Sequence, residues 1–164
     1  MITTKIKSPA DCAPDELDAF EALVREGGEV APAGLRQRIC RASFLLFLYD
    51  SSSTLGGVSA LKHPDDDYRS KVFQQAHSSV SSASYPVELG WVFVPPSHQG
   101  QHFARPLVER LLPYAVGRLV YATIRADNER MQRTMARYDF RQNGVAYRST
   151  RGNYDLVLFV QHDH

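Results

Sequence analysis

Apolar residues along this chain recur with two periods, and the points where the period changes divide it into elements. Residues 14 to 26, P-D-E-L-D-A-F-E-A-L-V-R-E, carry Leu17, Phe20, Leu23 and Val24 on one stripe, the spacing of a helix face. Pro14 suits the first turn of that helix and Gly27-Gly28 its end. A shorter helix is predicted at about 32 to 42, with Leu35 and Ile39 on one face. F-L-L-F-L-Y, 44 to 49, reads as a buried strand. D-S-S-S-T is turn chemistry, and L-G-G-V-S-A-L-K, 55 to 62, reads as the partner strand of a hairpin. Pro64 and Asp65 to Asp67 open a third helix, with Tyr68, Val72, Phe73 and Ala76 inward. The serine-rich 78 to 84 is a loop inside the fold rather than a domain boundary.

The second half alternates strand and helix. A strand is predicted at 86 to 94, then a helix from 103 with Ala104, Leu107, Val108, Leu111, Leu112 and Ala115 at helical spacing. Pro106 falls in the tolerant first turn, whereas Pro113 predicts a kink or an early end. L-V-Y-A-T-I, 119 to 124, is a strand, and 126 to 138 a helix with Met131, Met135 and Tyr138 roughly on one face. Strands at 144 to 148 and 154 to 160 follow. This order predicts an α/β chain with a mixed sheet and helices on both faces. The 86 to 124 segment should form a right-handed parallel crossover.

Composition narrows the setting. A length of 164 residues suits one domain spanning 1 to 164, and no internal repeat is visible. The net charge of +1, with acids spread among the bases, argues against nucleic acid and anionic membranes as partners. Cys12 and Cys40 have neither metal-ligand nor disulfide-framework spacing, which fits reduced thiols in the cytoplasm. M-I-T-T-K-I-K-S-P lacks the apolar stretch of a signal peptide, and no run reaches bilayer-spanning length. His63, His77, His98, His162 and His164 show no ligand spacing, so no metal is expected.

Chemistry is concentrated in S-H-Q-G-Q-H-F-A-R, 97 to 105, between a strand and a helix. Such a joint aims backbone N–H groups at one point, where the helix dipole adds partial positive charge. It is either a cradle for phosphates or only a polar turn. It is no Rossmann or Walker loop, because their glycines and Gly-Lys-Ser/Thr ending are absent. Glu88 is the one acid on the strand before it, and Asn128 stands at a helix start, where asparagine is a favoured cap.

The stretch resembles the pyrophosphate loop of the GNAT superfamily of N-acetyltransferases, Gln/Arg-x-x-Gly-x-Gly/Ala. Q-G-Q-H-F-A places Gln99 first and Ala104 last, with His102 where the family usually has glycine. The strand ending V-F-V-P-P, the segment A-T-I-R-A-D-N-E-R-M and Y-D-F at 138 to 140 resemble further family segments in the right order. The resemblance implies a GNAT-like fold and an acetyl-CoA-dependent N-acetyltransferase with direct transfer to a small-molecule or peptide amine. A homodimer is left open.

Carried over, the resemblance assigns the diphosphate to Gln99, Gly100, Gln101, His102, Phe103 and Ala104. It sets the backbone N–H of Val92 against the thioester oxygen, and Val94 along the pantetheine arm like an added strand. Gly90 would mark a bulge admitting that arm. Asn128 would touch the arm as well as capping its helix. Glu88, eleven residues before Gln99, stands where some members keep a glutamate base; its other reading is a solvated or arginine-paired edge residue. The acceptor would lie near the first two helices and their E-G-G-E-V link, where Glu26 and Glu29 are either amine attractors or a plain charged turn. Arg105 and Arg110 are either phosphate contacts or solvated surface. The position seven after Asn128, a tyrosine acid in many members, is Met135, and Tyr138 lies one turn on. His102 and Met135 favour a rival reading, an acyl-CoA-binding or regulatory module without turnover, whereas Glu88 favours the enzyme.

Overall fold

The computed structural model describes residues 1–163. Its chain divides into two compact units, residues 1–62 with 90–114, and residues 63–89 with 115–164, of which 164 lies outside the description.

In the first unit, β1 (Thr3–Lys7), β2 (Phe44–Tyr49) and β3 (Leu55–Lys62) form an antiparallel ladder. The hydrophobic hairpin of β2 and β3 is where the pattern predicts it. β1 is an unexpected strand, because T-T-K-I-K is polar and half exposed. Helix α1 (Pro14–Gly27) starts on Pro14, and Glu16 reaches back to accept the Ala13 N–H at 2.8 Å. Both Glu16 oxygens also accept from Lys7 Nζ, at 3.0 and 2.9 Å, which ties β1 to α1. Gly28 ends the helix at φ 75°, a conformation that a β carbon would oppose. Phe20 and Val24 of α1 join Leu35 and Ile39 of α2 (Leu35–Cys40) over Phe47 and Val58. α4 (Ala104–Glu109) lies against β3, where Ser59 Oγ donates to the Leu107 carbonyl at 2.8 Å. As the proline predicts, α4 ends early, and a single tight turn, Leu112–Ala115, holds Pro113.

In the second unit, α3 (Asp66–Gln75) packs Val72 and Phe73 onto Tyr121 and Leu158. β5 (Val120–Arg125) pairs in parallel with the start of β4 (Val87–Phe93), through Val87↔Val120 and Glu88↔Tyr121. β8 (Asp155–Gln161) runs antiparallel to β5. β6 (Phe140–Gln142) and β7 (Tyr147–Arg148) both pair with β8. β6 is unexpected, and the strand predicted over 144–148 shrinks to two residues. The helix predicted over 126–138 is α5 (Glu129–Ala136).

The strands make one eight-stranded sheet in the order β1-β2-β3-β4-β5-β8-β6, with β7 on β8. It is mixed and flanked by helices, as the alternation of periods implies. No helix among the described residues is long and apolar enough to cross a membrane.

Candidate functional site

In the first unit, β4 does not run straight into its loop. Trp91 has φ 52°, a left-handed conformation that costs an L-residue about 1–2 kcal/mol. The left-handed residue beside Gly90 is thus Trp91, the bulkiest side chain available. Packing holds it there. The indole meets Phe20 edge-on at 6.1 Å between centroids, and Lys62 Nζ sits 4.3 Å from the ring centre. Phe93 fills the space over Gly27, where a β carbon would lie 3.2 Å from its ring. Val92 and Val94 are half-buried, and the Val94 carbonyl accepts from Gln99 Nε2 at 3.1 Å.

Pro96–His98 form a tight turn, after which the loop is exposed from Gln99 to His102. Gly100 has φ 82° and His102 φ 62°. Alternating hand along a short backbone turns successive N–H groups toward one concavity, a shape that binds anions. The N–H groups of Gly100, Gln101 and His102 have no backbone acceptor among the described residues. A β carbon on Gly100 would meet nothing within 4 Å, so one side of the loop is open. These features fit a diphosphate. His102 departs from the motif in residue type while keeping the glycine-like backbone. Phe103 is buried and begins the return to the core; Ala104 starts α4. Arg105 is exposed, and Arg110 donates to Thr4 Oγ1 at 2.9 Å.

In the second unit, Glu88 is only 4% exposed, so the solvated-edge reading fails. Its parallel-strand neighbour is Tyr121, which is fully buried, with a hydroxyl that finds no hydrogen-bond partner among the described residues. Tyr121 pairs with Val160 and Tyr147 with Leu156, positions of one parity on β8. The strand period of two therefore puts Tyr121 and Tyr147 on one face. Burial first, and the Glu88 charge second, push both phenols well above the usual tyrosine range. Both hydroxyls stay protonated beside the carboxylate. Sequence reasoning misses these tyrosines, because only the register brings them to Glu88.

Asn128 caps α5, its Oδ1 accepting the Met131 N–H at 3.1 Å. Met135 is fully buried, and Tyr138 is half-buried. Glu26 and Glu29 are exposed at the end of α1 and just beyond it. Cys12 and Cys40 carry free thiols, the first partly buried. Among the described residues, no group of three His, Cys, Asp or Glu side chains has metal-holding geometry; His164 lies outside the described residues.

Residues 14–141 match the acetyltransferase (GNAT) domain family. No curated protein matches the chain. Among solved structures, an acyl-CoA N-acyltransferase from Pseudomonas aeruginosa is 18% identical, covers 99% of this chain and all of its own, and has a TM-score of 0.71. Arabidopsis thaliana NAA60 in complex with acetyl-CoA is 17% identical over 98% of this chain and 97% of its own, with a TM-score of 0.67. The spermidine N-acetyltransferase from Vibrio cholerae, in complex with CoA and spermine, is 16% identical over 96% and 94%, with a TM-score of 0.63. At these identities the likeness is one of fold.

Proposed function

This chain belongs to the GNAT acetyltransferases, and on that premise we propose that it transfers an acetyl group from acetyl-CoA directly to a primary amine, with both substrates bound together and residues 1–164 acting as one domain. The observation that carries this reading is the left-handed backbone at Gly100 and His102, in the loop where the family motif puts the diphosphate. Bound there, acetyl-CoA supplies an activated acetyl thioester. Gln99 to Ala104 hold the diphosphate through backbone N–H groups. The Val92 N–H donates to the thioester oxygen, where negative charge develops. Val94 and Asn128 line the pantetheine arm. Glu88 takes the proton of the incoming ammonium, the freed amine nitrogen bonds to the acetyl carbon, and the C–S bond breaks to release CoA as its thiolate; Tyr121 and Tyr147 stay neutral beside Glu88. The amine acceptors of the Vibrio spermidine enzyme support an amine here.

Met135, buried where many members keep a tyrosine acid, favours the rival reading of a module that binds acyl-CoA without turnover. Release of CoA thiol with a panel of polyamines, amino acids and peptides separates the two. With an accepted amine, Glu88→Gln should lower turnover about a hundredfold to ten-thousandfold, the usual worth of a positioned base. Calorimetry should show acetyl-CoA affinity unchanged. Near-normal turnover in the variant, with chemistry rate-limiting, would remove Glu88 from the role.

A further inference from the structure

Asp50, His98 and Ser97 form a hydrogen-bonded chain that the transfer chemistry leaves unused. His98 is 8% exposed, although it borders an exposed loop. Its Nε2 lies 2.8 Å from Asp50 Oδ2, and its Nδ1 lies 2.8 Å from Ser97 Oγ. Asp50 is itself fixed, because its Oδ1 accepts the N–H groups of Ser52 at 2.8 Å and Thr54 at 3.0 Å in the β2–β3 turn. These bonds hold the Asp50 carboxyl below the usual aspartate range, the His98 contact contributing most. An ionised carboxylate only accepts, so the proton between the two side chains sits on Nε2, and in the neutral ring Nδ1 accepts from the Ser97 hydroxyl.

A third contact of His98 bears on what the tether is for. Its ring stacks on Phe103 with centroids 5.9 Å apart and planes 28° apart. Both rings rest on Gly56, where a β carbon would lie 2.8 Å from His98 Cδ2 and 2.9 Å from Phe103 Cε2. His98 and Phe103 are the residues on either side of 99–102. The loop, exposed from Gln99 to His102 and with two left-handed residues, is thus the span between two stacked, buried rings. Sparsely populated backbone conformations persist only where the surroundings over-determine them.

We propose that His98, tethered by Asp50 and stacked on Phe103, is the positioning residue of the 99–102 loop, setting its backbone in the diphosphate-binding shape before any ligand arrives. The proposal rests on reading this loop as the acetyl-CoA site. A loop ordered during folding loses no further freedom on binding, and affinity rises accordingly.

Titration calorimetry with acetyl-CoA tests it. His98→Leu keeps the bulk and loses both hydrogen bonds, whereas His98→Gln keeps an N–H that reaches Asp50. The leucine variant should raise Kd about tenfold, and the glutamine variant should stay within roughly threefold of the wild type, the scale of one hydrogen bond to a charged group. A general loss of packing would weaken both variants alike. Equal weakening in the two variants, or unchanged affinity in the leucine variant, overturns the proposal. Should His98→Leu not fold, His98→Phe keeps a ring to stack on Phe103 but loses the tether to Asp50, and it should also weaken binding; unchanged affinity there overturns the proposal equally. A wild-type protein that binds no acetyl-CoA at millimolar concentration removes the loop reading itself, a result distinct from either variant's failure.

Discussion

His102 carries a β carbon at φ 62°, where glycine pays no steric cost. The left-handed conformation costs about 1–2 kcal/mol in an L-residue, against about 0.5–1 kcal/mol of extra chain entropy for glycine. His102→Gly should therefore leave stability unchanged or raise it by up to ~1.5 kcal/mol. It should also tighten acetyl-CoA binding, because the backbone then approaches phosphate with no side chain beside it. His102→Val, branched at that same φ, should lose roughly 1–2 kcal/mol. Denaturant unfolding and calorimetry read both effects, and weaker binding by the glycine variant would make the imidazole a ligand contact. The loop is legible in sequence because its signature is local, a few residues bending one backbone. Trp91 is not legible in that way. No local rule puts a left-handed kink on tryptophan when Gly90 stands next to it, and the packing that holds it there, Phe20 and Lys62 included, is brought from elsewhere in the chain.

Element boundaries follow the same division. Pro14, Gly28 and Pro113 act on their own neighbours, so the start of α1, its end and the early end of α4 can be read directly. Asn128 is legible too, as the cap of α5. Asn128→Ala should cost about 1 kcal/mol of stability by thermal or chemical unfolding. Any additional fall in acetyl-CoA affinity would mark the pantetheine contact as separate from the cap. β1 escapes sequence reading because its polar residues bury little, and its place depends on pairing with β2 and on the Lys7–Glu16 tie. β6 and β7 are too short to show a period and exist through β8. The Asp50–His98 tether is another such case. D-S-S-S-T is visible as a turn, but 48 residues separate its aspartate from the histidine it holds.

Each compact unit holds groups that tie its stability to pH. In the first, Glu16, Glu21 and Asp50 have carboxyls lowered from ordinary values of 4.5, 4.5 and 3.8, by the Ala13 N–H, by Arg36 and by His98 respectively. A lowered carboxyl stabilises the fold above its unfolded pKa and loses that contribution as pH falls. In the second, Tyr121 and Tyr147 are raised from 10.0 by burial, so their contribution is complete below pH 10 and is lost above it. Melting temperature should fall on the acid side below about pH 4.5, less steeply in Glu16→Gln, and on the alkaline side above about pH 10, less steeply in Tyr121→Phe. Unaltered limbs in these variants would assign the pH dependence to other groups. Trp91, for its part, gives the chain a property beyond energetics. It is the sole tryptophan. Light absorbed at the red edge of the protein band is therefore emitted by one indole, fixed on β4 under a lysine cation. The colour and yield of that emission are an unlabelled optical gauge of β4, readable at the bench while a substrate is titrated in.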